Sequence, residues 1–238
     1  QEWNSQGLTV NQISQLTGYD QSSVRYWYKR LGMEYVSDIK RWDISRFLNV
    51  NDIDAQYVIG FLAADGYLAS HKAVGVYTQI NDIEIIYRIL SVFNRLDDKQ
   101  PYYRTPVGCQ PQVGIIIGSV EFVNLLKTVY GFCNCKSFNL PFPRHLDNPL
   151  PFLRGFMDGD GYMGVRCTFT SASCDFITGL LEWVYRTYGY QPSVTMSGVN
   201  RNIYNVNFRK KHSLFIRDLF SYYGLTRKTE GFLRYLPN

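Results

Sequence analysis

Two carboxylates stand at matching points of this chain. Asp65 stands in the stretch YVIGFLAADGYL (residues 57–68) and Asp160 in FLRGFMDGDGYM (residues 152–163), 95 positions later. Each acid closes an apolar run and is followed by Gly-Tyr. Within the runs, Gly60 and Ala64 lie four apart, as do Gly155 and Gly159. A helix over either run would carry a stripe of small residues along which a second backbone can approach closely. Packed side by side, two such helices bring Asp65 and Asp160 together at their C-terminal ends. Carboxylates there repel each other and the helix dipole, so a positive group belongs between them. A divalent cation fits that place, and metal-assisted hydrolysis is the chemistry it would serve. A single Asp-Gly is commonly a helix stop and a turn. Two copies at matching points of a repeat point instead to a site.

The acids are part of a longer duplication. After each Asp-Gly-Tyr come two short alternating segments, then an amphipathic run with apolar residues at helical spacing (Ile83, Ile86, Leu90; Phe176, Leu180, Val184). Two more strand-like segments follow, then a further helical run, and each half closes near a lysine, Lys136 or Lys228. The expected class is α+β, with two pseudo-symmetric αββαββα repeats over 47–148 and 149–238. Units this small bury their cores by packing on each other about a pseudo-two-fold axis. The stretch LPFPRHLDNPLP, with its four prolines, reads as the connector.

Composition narrows the class. Aromatics are abundant and the net charge is +5, concentrated in residues 150–238, which hold 11 basic and 6 acidic side chains. That bias permits nucleic-acid binding. The five cysteines form no paired zinc pattern, and their odd, scattered placement suggests reduced thiols. No apolar run reaches the length of a membrane span. The expectation is a protein that is not secreted and works in the cytoplasm, a nucleoid or an organelle matrix, without membrane contact.

Residues 58–66 (VIGFLAADG) and 153–161 (LRGFMDGDG) carry a nine-residue signature, and with the αββαββα order the sequence resembles the monomeric, two-motif LAGLIDADG homing endonucleases over about residues 51–238. The resemblance implies a site-specific double-strand DNA endonuclease, typically intron-encoded, that hydrolyses one phosphodiester on each strand of a long duplex target. It implies two or three Mg²⁺ ions shared between Asp65 and Asp160, with the backbone carbonyls of Ala64 and Gly159 adjoining them. Lys136 and Lys228 would stabilise phosphate charge, and Gln79 would position water, with Ser171 its nearest counterpart. Ala63 departs from the motif, whereas Asp158 keeps the acid at that place in the second copy. Since the last acid holds the metal, Ala63 is compatible with activity. A non-cutting transcriptional regulator and an RNA intron maturase are the alternatives. The paired acids argue against the first, and nothing in the sequence excludes the second.

Alternation in the strands assigns faces. In IYNVNFRKK, Tyr204, Val206 and Phe208 point one way, and Asn205, Asn207 and Arg209 the other. Asparagine suits adenine and arginine suits guanine in a major groove. Tyr77 (beside Gln79), Arg104, Arg166, Thr168, Thr170 and Arg201 complete the candidate DNA contacts of the core.

Residues 1–46 lie outside the repeats and read as a small all-α helix-turn-helix extension with a joint to the core. Ile13, Leu16, Gly18, Val24 and Trp27 fall at suitable spacings, with Val24 facing Ile13 and Leu16. The second helix would present Gln21, Ser22, Arg25, Tyr26 and Lys29 to a groove.

Overall fold

The computed structural model, which describes residues 8–34, 41–199 and 202–235, divides the chain into two units, residues 1–41 and 42–238. In the first, Thr9 and Gln12 form a capping box that starts helix α1 (Val10–Thr17), and Gly18 ends it at φ 73°, in the left-handed region glycine tolerates. Asp20 then accepts the backbone N–H groups of Ser22 and Ser23 and starts α2 (Gln21–Arg30). Val10, Ile13 and Val24 form the core of this pair. Leu16, which spacing placed against Val24, is instead 68% exposed, and Trp27 is 53% exposed. Two helices this short cannot bury every apolar residue they carry, and an apolar pocket of about 210 Å³ remains beside Ile13, Val24, Trp27 and Leu31.

The second unit is α+β. Its first repeat runs α3 (Ile53–Asp65), β1 (Tyr67–Ser70), β2 (Ala73–Gln79), α4 (Ile83–Val92), β3 (Tyr102–Arg104), β4 (Gln112–Gly118), α5 (Val120–Thr128) and the short α6 (Lys136–Asn139). The second runs α7 (Leu150–Asp160), β5 (Gly161–Met163), β6 (Cys167–Ser171), α8 (Cys174–Tyr188), β7 (Ser193–Ser197), β8 (Ile203–Phe208), α9 (Ser213–Phe220) and α10 (Thr226–Tyr235). Trp42 and Ile44, read from sequence as extension and joint, pack with this core, next to Phe47, which meets Phe93 and Phe122.

Each repeat builds one antiparallel four-stranded sheet, ordered β1-β2-β4-β3 and β5-β6-β8-β7. One face of each is buried under helices through Val74, Val76, Val113, Ile115 and Ile117 in the first, and Cys167, Phe169, Val206 and Phe208 in the second. Alternation leaves Tyr77, Gln79, Gln112 and Arg104 on the open face of the first sheet.

Asp52 caps α3, accepting the Ala55 N–H. Gly66 does not take the left-handed conformation usual after a helix. Its φ is −72° and it leads straight into β1. Glycine is needed there because a Cβ would lie 2.5 Å from the Leu62 carbonyl oxygen.

Helices α3 and α7 meet backbone to backbone. A Cβ at Gly60 would lie 1.9 Å from the Phe152 carbonyl oxygen, one at Gly155 would lie 2.0 Å from that of Tyr57, and one at Gly159 would lie 2.4 Å from the Ala64 Cβ. Gly155→Leu should therefore force the two helices apart and cost roughly 1–3 kcal/mol or more. A urea-unfolding midpoint equal to that of the unaltered protein would refute this.

Candidate active site

The same helix pair sets the site. Gly159 brings α7 so close that a Cβ there would lie 3.2 Å from the Asp65 carboxylate oxygen, so Asp65 sits against the end of the helix that carries Asp160. Both acids are solvent-exposed. Protein packed around the pair nonetheless opposes ionisation. It raises Asp65 to about 6, through burial first and the charge of Asp160 second, and it raises Asp160 as well. Nearby lysines offset part of both shifts.

Two lysines are buried below the acids, Lys136 at 8% exposure and Lys228 at 5%. Lys136 Nζ donates to the carbonyls of Ala63 (2.7 Å) and Ala64 (2.6 Å), at the end of α3. Lys228 Nζ donates to those of Asp158 (2.8 Å), Gly161 (2.8 Å) and Gly159 (3.4 Å), and also to that of Met157, at the end of α7. The last carbonyls of a helix lack internal partners and carry partial negative charge, so an ammonium group satisfies them and the dipole together. Burial still pulls Lys228 down to about 8 and lowers Lys136. The Ala64 and Gly159 carbonyls, which the family resemblance assigned to metal, each meet an ammonium group here, Gly159 at the longer distance of 3.4 Å.

A divalent cation fits the donor set. Two exposed carboxylates with opposed ionisation gain by sharing a positive charge. Among the described residues no group of three or more His, Cys, Asp and Glu could hold a metal. The arrangement thus suits a hard cation that keeps water and accepts substrate oxygens, as Mg²⁺ does. Since Asp65 must lose its proton to bind, cation binding below pH 6 should release protons and weaken with falling pH, whereas near pH 7, where Asp65 is ionised and Lys228 still protonated, it should release few. Calorimetry in two buffers of different ionisation enthalpy measures that difference.

Ser171 lines a small cavity with Ala63, Ala64, Lys136 and Asp160, and its hydroxyl accepts the Ser173 N–H. Gln79 is exposed at the end of β2, paired in register with Gln112. Thr168 and Thr170 lie on the same face of the second sheet, beside Asn207 and Asn205 respectively, but Thr168 is buried at 5% exposure with its hydroxyl spent on Asn207. Asn207 is only 2% exposed: its amide oxygen accepts from Thr168 (3.0 Å), and its amide nitrogen donates to Thr195 (3.2 Å) and to the Asn205 carbonyl (3.0 Å). Its hydrogen bonds are spent within the sheet. Asn205 is half-buried and bonded to Thr170 and Ser197. Arg166 and Arg209 are exposed just outside the strands. Arg201 lies outside the described residues. In the small unit, Arg25, Tyr26 and Lys29 are exposed, Gln21 bridges Asn11 and Arg25, and the Ser22 hydroxyl is held by Asp20.

Two groups of residues escaped the sequence reading. Arg154 and Asp158 form an ion pair (2.8 Å) with both side chains fully buried. Tyr57 and the Leu225 N–H also donate to Asp158, each at 2.7 Å, tying three parts of the chain together. An arginine four residues before an aspartate in an apolar helix was the available signal. The second group joins the repeats: Arg227 makes a two-pronged bond to Asp82, and Glu84 accepts both the N–H and the hydroxyl of Thr226 at the start of α10. No local pattern reveals these pairs.

The core has the fold of the LAGLIDADG homing endonucleases, two repeats with paired motif helices and one four-stranded sheet each. Solved structures similar to it include the homing endonuclease I-WcaI bound to its DNA recognition sequence (TM-score 0.58, 14% identity, 94% of this chain and 98% of that one). I-DmoI in complex with DNA and Ca gives a TM-score of 0.54 at 14% identity, over 78% of this chain and 99% of that one. The I-LtrWI LAGLIDADG homing endonuclease bound to target DNA gives 0.54 at 12%, over 79% and 89%. No protein-family profile matches the sequence, and no curated protein sequence does. No helix among the described residues is long and apolar enough to cross a membrane.

Proposed function

We propose that the protein is a site-specific DNA endonuclease that cuts both strands of a long duplex target, acting as a monomer with Mg²⁺. One observation carries the reading: two exposed carboxylates, each resisting ionisation, held together by helices packed too closely to serve any looser purpose. A regulator of the same fold that only binds DNA has no need of that pair. Asp65 and Asp160 would hold the cation, which when bound supplies Lewis-acid stabilisation and an activated water. Lys136 and Lys228 keep positive charge beneath the acids and offset their repulsion. Gln79 and Ser171 stand at corresponding strand ends as candidates to orient water. The open faces of the two sheets, with Tyr77, Arg104, Arg166, Thr170, Asn205 and Arg209, would lie along the major groove, where phosphate contacts position and base-edge contacts specify. The similar structures named above are bound to DNA, which supports this partner. The test is incubation with a randomised duplex library and Mg²⁺. Recovery of one preferred cleaved sequence supports the reading, and a library left uncut overturns it.

In the same reading, residues 1–41 are a DNA-contacting extension through Gln21, Ser22, Arg25, Tyr26 and Lys29. Deleting them should leave cleavage at the same phosphodiesters, since both acids remain in the core. The slope of log affinity against log salt should fall by about one unit for each phosphate the shortened protein no longer neutralises, and the footprint should shorten on one side only. An unchanged footprint and affinity would make this segment a structural hairpin.

A further inference from the structure

The open faces of the two sheets differ in chemistry. On the second, threonines and asparagines bond to each other in a closed ladder: Thr168 to Asn207, Thr170 to Asn205, Asn207 to Thr195 and Asn205 to Ser197. On the first, two tyrosines lie flat. Tyr67 pairs in register with Gly75 and covers it, and a Cβ on that glycine would lie 2.5 Å from the ring. Tyr77 covers Gly114 in the same way, at 2.4 Å. The two rings are nearly parallel, 10° apart with centroids 6.4 Å from each other. Ile116, the register partner of Gly75, extends the apolar surface at 37% exposure. At the other side Arg104 stacks on Tyr77 at 3.5 Å and donates to Gln112 at 2.9 Å.

Glycines in strand interiors weaken a sheet and often mark a close approach. Here they let the rings lie down, which makes a smooth apolar surface in place of projecting side chains. Rings held flat on a sheet cannot enter between stacked bases. They can only meet base edges, and the apolar group on a major-groove base edge is the C5-methyl of thymine. Arg104 gives the patch a positive charge suited to a duplex. Tyr67 also lines the same cleft of about 420 Å³ as Asp65 and Lys136, so the surface is continuous with the candidate active site.

We infer that the platform of Tyr67, Tyr77 and Ile116 selects thymine methyl groups in the half of the target that the first sheet would meet. This rests on the endonuclease reading, and the test separates the two. Full-length protein in Ca²⁺ is used to select bound duplexes from a randomised library. The winning sequence is then remade with deoxyuridine for thymidine in each half in turn, which removes methyls and leaves base pairing intact. One half should contain thymines, and each methyl removed there should weaken binding roughly fourfold. In Tyr77→Ala, and separately in Tyr67→Ala, the ratio of thymine to uracil affinity should fall toward one. A preferred sequence with no thymine in either half, with methyl-independent binding, or with an unchanged ratio in both variants overturns this inference alone. Failure to select any sequence overturns the DNA reading and this inference with it.

Discussion

Asp65→Asn or Asp160→Asn should abolish double-strand cleavage and leave binding in Ca²⁺ nearly unchanged. Asparagine keeps the shape of the side chain and removes the charge that holds a cation. Several kcal/mol of transition-state stabilisation depend on that cation, so the loss should be on the order of a thousandfold or more. Folding should not suffer. Each acid is exposed, sits where its surroundings oppose ionisation and lies at a helix C-terminus, where a negative charge is unfavourable. Thermal stability of either variant should equal or exceed that of the unaltered protein. Gel assays that separate nicked from linear plasmid decide the outcome, and full linearisation by either variant would eliminate the two-acid model.

Asp158→Ala should have the opposite profile, a large loss of stability with Asp65 and Asp160 untouched. Removing the carboxylate strands the Arg154 guanidinium at 0% exposure, along with the Tyr57 hydroxyl and the Leu225 N–H. Breaking one member of a buried pair costs about 3–5 kcal/mol. Replacing both members, as in Arg154→Met with Asp158→Ala, should recover part of that, because no buried charge is then left without its counterion. Urea unfolding of the two variants gives the comparison; equal losses would mean that the cost lies in packing rather than in the stranded charge. Since Leu225 leads into the helix that carries Lys228, cleavage should weaken too, but as a consequence of lost structure.

The skeleton of the site was legible because it repeats. Helical spacing, strand alternation and the doubled Asp-Gly are local, and each copy reinforces the other. Asp65, Asp160 and the small residues beside them could be read in that way. Side-chain partners far apart in the chain could not. Asn207 alternates with Val206 and Phe208 as an open-face residue should, yet it is buried because Thr168 and Thr195 reach its amide from both neighbouring strands. Strand pairing must be known before that is visible. Lys136 and Lys228 were found through their matching places, but their bonds to helix-end carbonyls depend on a return of the chain over some 70 residues. Gly75 and Gly114 were an unread local signal, as was the Arg154–Asp158 spacing. Glycines inside well-formed strands mark a place where something lies close, and here it is a tyrosine ring.

The contact between α3 and α7 has a mechanical consequence. Backbone rests on backbone with no side chain between to act as a cushion, and Arg88 adds a strut, stacking on Tyr57 at 3.6 Å while donating to the Tyr223 carbonyl at 2.7 Å. Such a joint should yield little, so in the proposed reaction the distortion should fall on the substrate rather than on the angle between the repeats. A stiff duplex bends at a cost that depends on its sequence. The rigidity of two glycine-lined helices would therefore act as a ruler, favouring target centres that bend easily even at base pairs no side chain touches.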